Sequence, residues 1–172
     1  MLPLLVLVPP ALAQAESGPE LQLSAMAGAL RVGDDFALDR EARWTAVAGA
    51  RVGWRPFPAV TLAAEAWLGD ESLRGFGAVA LFRPWAERAW PVDPAFEFGI
   101  ERVDGGDEED RGPGFVFGAG LERRSARWGL EAAARHHFLT VDEDEVDGVA
   151  TGRDAELWEV RAAVSLLLGG AS

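Results

Sequence analysis

The sequence predicts an all-β fold: an eight-stranded antiparallel up-and-down transmembrane β-barrel, a simple meander. Three observations carry that expectation. Eight stretches alternate residue by residue, each near the roughly 10-residue length that crosses a bilayer as a tilted strand. In seven of them one face is apolar, while the other collects Gly, Ala and nearly all the strand charges. The connections between them sort their charges by parity, as a meander that repeatedly crosses a membrane would.

The first stretch, 20–31, sets Leu21, Leu23, Ala25, Ala27 and Ala29 on one face. The second, 43–54, is the clearest. Trp44, Ala46, Ala48, Ala50, Val52 and Trp54 share a face, against Arg43, Thr45, Val47, Gly49, Arg51 and Gly53. A helix would scatter these residues around its whole circumference, so strand is the better assignment. After Arg55-Pro56-Phe57-Pro58, read as a tight turn, 59–68 places Val60, Leu62, Ala64, Ala66 and Leu68 outward. Its inward face is Thr61, Ala63, Glu65 and Trp67. Residues 75–83 are apolar on both faces; Phe76 and Phe82 are assigned outward, Gly75 and Gly77 inward.

The fifth strand, 93–103, puts Phe96, Phe98 and Ile100 outside over Glu97, Gly99 and Glu101. The sixth, 114–123, sets Phe115, Phe117, Ala119 and Leu121 against Val116, Gly118, Gly120 and Glu122. The seventh, 127–139, has Trp128, Leu130, Ala132, Ala134, His136 and Phe138 outside, over Glu131, Arg135 and His137. The eighth, 157–168, sends Trp158, Val160, Ala162, Val164, Leu166 and Leu168 outward, over Glu159, Arg161, Ala163 and Ser165. All six strand glutamates therefore fall on the inward face. Arg31 and Arg102 end outward stripes, where a long side chain can snorkel to the rim.

Odd-numbered connections (33–42, 69–74, 104–112, 140–156) hold 18 acidic residues and four Arg; even-numbered ones (55–58, 83–93, 123–127) hold two acidic residues and six Arg. A water-soluble barrel has no reason for such sorting. A membrane barrel does, because alternate connections lie on opposite sides. The mostly short, Arg-bearing turns are expected in the periplasm and the longer acidic loops outside.

Composition narrows the function. At 172 residues with net charge −12, the chain is one domain and unsuited to nucleic acid. Cysteine is absent, which removes disulfides, thiolate chemistry and Cys-based metal sites. Residues 1–13 form an apolar run ending Ala11-Leu12-Ala13, the shape of a signal peptide cleaved before Gln14. Residues 14–172 then make the barrel domain, with all strands within 20–169. No other charge-free apolar run is long enough for a membrane helix, so any crossing must use strands.

On these residues the chain resembles the small eight-stranded outer-membrane barrels of Gram-negative bacteria, of the outer-membrane protein A type. The likeness covers nearly all of 20–169 and rests on pattern rather than a signature motif. It implies a closed meander whose interior is filled by Glu/Arg pairs, with no continuous wide pore. Barrels of that type commonly end in an aromatic residue, whereas this one ends Leu166-Leu167-Leu168-Gly169-Gly170-Ala171-Ser172.

The candidate interior polar network is Arg51, Glu65, Glu97, Glu101, Glu122, Glu131, Arg135, Glu159 and Arg161. Its core is expected among Glu65, Glu131, Arg135, Glu159 and Arg161, and its role is structural, because buried charges are tolerable only when paired. Trp44, Trp54, Trp128 and Trp158 read as an aromatic girdle. His136 and His137 are the only imidazoles; without a nearby Ser, and with Thr140 and Glu143 a poor substitute, they read as packing residues rather than a triad. The run Asp142–Asp147 lacks the spacing of an EF-hand loop. It and Asp104–Asp110 are possible sites for divalent cations. No cofactor and no catalytic residue is called for. The reading is a non-enzymatic outer-membrane protein acting in envelope integrity or surface interaction, in contact with lipid and lipopolysaccharide. Two alternatives stand beside it: a lipid A modifying enzyme, and a soluble lipocalin-like barrel with an apolar ligand cavity.

Overall fold

The computed structural model describes residues 19–33, 36, 42–70, 72–86, 88, 90–105, 111–125, 127–142 and 152–169. Eight strands follow one another: β1 (Glu20–Val32), β2 (Arg43–Phe57), β3 (Val60–Gly69), β4 (Arg74–Phe82), β5 (Asp93–Asp104), β6 (Arg111–Arg124), β7 (Trp128–Asp142) and β8 (Gly152–Leu168). Each pairs antiparallel with its sequence neighbours, and β8 closes on β1. Closure removes the unpaired edges that an open sheet would present.

The expected faces hold in all eight strands. Alternation puts Phe96, Phe98 and Ile100 on the outside of β5, for example, and Ala95, Glu97 and Glu101 inside. Four boundaries differ by more than one residue. β2 continues through Phe57 with a register shift between Trp54 and Phe57, so the turn is Pro58-Ala59 rather than 55–58. At the opposite end β6, β7 and β8 run further than their alternation predicts, to Arg111, Asp142 and Gly152. Ladder hydrogen bonds continue there beyond the apolar stripe, because pairing needs only backbone. The segment 1–13, most of Asp104–Asp110 and Asp142–Asp147, and Glu143 lie outside the described residues.

Following one row of outward residues from Arg31 through Trp158, His136, Phe117, Phe98, Ala80, Leu62 and Trp54 returns to β1 at Leu21. That stagger of ten residues tilts the strands, and positions of equal height shift by about one residue per strand. Trp44, Arg31, Trp158, Phe138 and Arg102 accordingly share one level near the long loops. Trp54 and Trp128 share another near the turns. The ten residues separating Trp44 from Trp54 on β2 span about 25 Å along the axis of a tilted strand, the height of a lipid-facing band.

The interior is layered, which alternation did not predict. Its loop end is an apolar plug of Leu30, Val32, Phe36, Val47, Trp67, Leu73, Val103, Leu139, Val141, Ala155 and Leu157. The polar filling begins only below it. Trp67 depends on the absence of a side chain at its partner on the neighbouring strand: a Cβ on Gly75 would collide with the indole, 2.6 Å from Nε1 and closer still to Cε2. Gly75→Val is therefore expected to expel Trp67 and to destabilise the barrel by about 2–4 kcal/mol, in line with other losses of core packing. Urea unfolding followed by tryptophan emission checks this.

Candidate functional site

The central layer of the lumen is a charged cluster held by five strands. Arg51 on β2 reaches Glu65 on β3 (Nη2–Oε2, 3.1 Å), Glu97 on β5 (Nη2–Oε2, 3.0 Å) and Glu131 on β7 (Nη1–Oε2, 3.1 Å). Arg161 on β8 approaches the same three carboxylates, at 3.3, 2.9 and 3.3 Å. Arg135 on β7 binds Glu65 at 2.5 Å and Glu159 at 3.2 Å, and lies 3.5 Å from Glu97. Glu65 and Glu97 thus each face three guanidinium groups. Every side chain of this set is almost completely buried. Inward glycines make the space: a Cβ on Gly118 would stand 3.0 Å from Arg135 Cγ and 3.3 Å from Glu97 Cγ.

His137 sits at the upper margin of this cluster. Its Nδ1 lies 2.5 Å from Glu101 Oε1 and its Nε2 lies 3.3 Å from Glu159 Oε2, so the ring bridges two carboxylates. Its edge meets Trp67 of the apolar plug, with centroids 6.3 Å apart. It is fully buried in the lumen, on the inward side where alternation places it. His136, one residue on, points outward. It stacks on Trp158 at 3.9 Å and 12°, and its Nε2 lies 3.1 Å from Glu156.

A second polar layer fills the turn end. Arg83, completely buried, binds Glu122 and donates from Nη1 to Thr61 Oγ1 at 2.9 Å. Arg55 donates from Nε to the same hydroxyl at 3.3 Å and lies 3.7 Å from Glu122. Arg124 pairs with Glu20. Gln22 Nε2 donates to Ser165 Oγ at 2.8 Å, and Ser24 shares a hydrogen bond with that serine at 2.9 Å.

Eight of the nine candidate network residues therefore meet in one cluster, and Glu122 belongs to a separate one. Arg55, Arg83 and Arg124, counted from sequence as turn charges, sit in the lumen or at its mouth. Their signal was present: Arg55 and Arg83 immediately follow the outward Trp54 and Phe82, so strict alternation turns them inward. The Pro residues beside them suggested that the strands had already ended.

Outside, polarity is reversed. Leu62, Phe98, Ile100, Phe117, Leu130 and Val160 are each about half exposed or more, and together they form a continuous apolar belt. Trp44 and Trp158 stand at its loop-end margin, Trp54 and Trp128 at its turn-end margin. Exposed apolar surface on this scale is foreign to a water-soluble monomer. Among the described residues no group of His and carboxylates is arranged to hold a metal ion.

A closed eight-stranded meander with charges inside and an apolar belt outside defines a transmembrane-type β-barrel. No protein-family model matches the sequence, and no curated protein matches it. Its fold, however, is that of the small outer-membrane barrels. It is similar to Neisserial surface protein A, at 16% identity and a TM-score of 0.58, over 87% of this chain and 97% of that one. It is similar to the N-terminal β-barrel domain of OprF from Pseudomonas aeruginosa, at 13% identity and a TM-score of 0.59, over 88% and 99%. OprG of the same bacterium aligns over 90% and 97%, at 8% identity and a TM-score of 0.53. At these identities the likeness is one of fold.

Proposed function

We propose that the protein is an integral outer-membrane barrel with no enzymatic activity, serving envelope integrity or surface interaction. The observation that carries this reading is the inverted polarity: Arg51, Arg135 and Arg161 are buried in the lumen while Phe98, Ile100 and Phe117 face out. In water that arrangement forfeits the hydrophobic effect over the whole belt; in a bilayer both faces are satisfied. The paired lumen charges and the apolar plug are a structural filling, and the girdle tryptophans set the barrel's height in the membrane. The acidic loops are the surface offered to the outside, to divalent cations and to lipopolysaccharide.

His137 gives the lipid A modifying alternative no support, since it is walled in by Glu101, Glu159 and Trp67. The lipocalin-like alternative needs large apolar residues inside and charges in water, the reverse of this distribution. Fractionation of cells followed by SDS gels with and without boiling tests the proposal. The expected result is an outer-membrane band that migrates differently before and after heating. A soluble periplasmic band without a heat shift overturns it.

A further inference from the structure

The β4–β5 connection is unlike the other two at its end of the barrel. Two residues separate β2 from β3 and three separate β6 from β7, but ten separate Phe82 from Asp93. Its base is fastened to the wall and lumen. Arg83 N donates to Ala59 O at 2.8 Å, and the Arg83 side chain is held by Thr61 and Glu122. It is also hydrogen-bonded within itself, from Ala86 N to Arg83 O (3.2 Å), Arg88 N to Trp85 O (2.9 Å) and Trp90 N to Arg88 O (2.8 Å). On this frame Trp85 and Trp90 stack at 5.8 Å and 22°, and the Arg88 guanidinium carbon lies 5.8 Å from the Trp90 ring centroid. Trp90 and Val92 are exposed.

The placement around the barrel gives this cluster a purpose. At the turn end, outward Trp residues occur on β2 (Trp54) and β7 (Trp128), and none on β3 to β6. The Trp85–Trp90 pair lies between β4 and β5, so the three positions divide the circle of eight strands into arcs of two and a half, two and a half and three strands. The turn leaves the wall directly after the outward, exposed Phe82 and rejoins it three residues before the outward, exposed Phe96.

We propose that this turn is a third interfacial anchor, seating Trp85, Trp90 and Arg88 in the phospholipid headgroups of the leaflet at the turn end. The inference rests on the reading that the barrel spans a bilayer. A lipid surface is the occupant the chemistry favours. Indole places an apolar ring against acyl chains and an N–H among headgroups, while a guanidinium held against an aromatic face pairs with phosphate. Three anchors resist tipping in every direction, whereas Trp54 and Trp128 alone leave the β4–β5 side free to move.

The chain has no cysteine, so single-cysteine variants can be labelled cleanly. Trp90→Cys, Val92→Cys (which keeps both rings of the pair), Trp54→Cys as girdle reference and Ala134→Cys as mid-belt reference are labelled with a fluorophore. They are then folded into phosphatidylcholine vesicles whose lipids carry bromine at graded depths. The expected result is that labels at 90 and 92 are quenched to the same extent as at 54, most strongly by the bromines nearest the headgroup. If labels at 90 and 92 respond to aqueous iodide and not to bromolipid, while 54 and 134 respond to lipid, the anchor is disproved and the spanning barrel stands. If no position senses bromolipid, the spanning reading fails and the anchor with it.

Discussion

Arg51→Met is expected to cost about 3–5 kcal/mol of stability, the usual effect of stripping one partner from a buried ion pair. The geometry explains the size. Arg51 contacts Glu65, Glu97 and Glu131 at 3.0 to 3.1 Å, and all four side chains are cut off from solvent. Without it, two guanidinium groups remain to balance Glu65, Glu97, Glu131 and Glu159 in a medium of low polarity. The carboxylates cannot find water, because the apolar plug lies above them and the Arg83 layer below. Adding Glu131→Gln should recover a large part of the loss, since among the described residues Glu131 takes its charge partners from Arg51 and Arg161. Urea unfolding of the two single variants and the double variant, analysed as a cycle, measures the coupling. A neutral effect of Arg51→Met would show that the cluster does not hold the barrel together.

The second large effect is expected on the outside. Phe98 stands midway between the two girdle levels on β5, beside Phe117 and Ala80, and the residue is 57% exposed. Arginine at the midplane of a lipid-facing strand costs about 2–4 kcal/mol. On a barrel surrounded by water the same change at an exposed site would fall within about 0.5 kcal/mol. Phe98→Arg thus discriminates the two solvents directly. Folded fraction against urea in vesicles should show the penalty, and an unchanged curve would place water, not lipid, around the belt.

Much of this structure was legible in the chain because a strand's period of two is rigid. Once Trp44 and Trp54 are placed outside, Arg51 must point inward, and the same rule sets Glu65, Glu97, Glu131 and Glu159 on one side of the wall. Errors gathered where alternation competes with other signals. Proline beside Arg55 and Arg83 reads as a stop, yet the backbone keeps its ladder far enough to carry both guanidinium groups inside. At the loop end, alternation identified Val47 and Trp67 as inward but not that they would join Leu30, Val103 and Leu139 in a plug. Which inward residues share a height depends on the stagger between strands, and no single strand records it.

The sequence by itself therefore determined the number of strands and which residues of each share a face, since both follow from local periodicity, and the parity of the connections set the meander order. The tertiary structure alone decided who meets whom across the lumen. It separated Glu122 from the other eight network residues, set His137 between Glu101 and Glu159, and put the Trp85–Trp90 turn two and a half strands from the tryptophans on either side. Those are consequences of closure and shear, which couple residues far apart in the chain through the ten-residue stagger of a closed sheet.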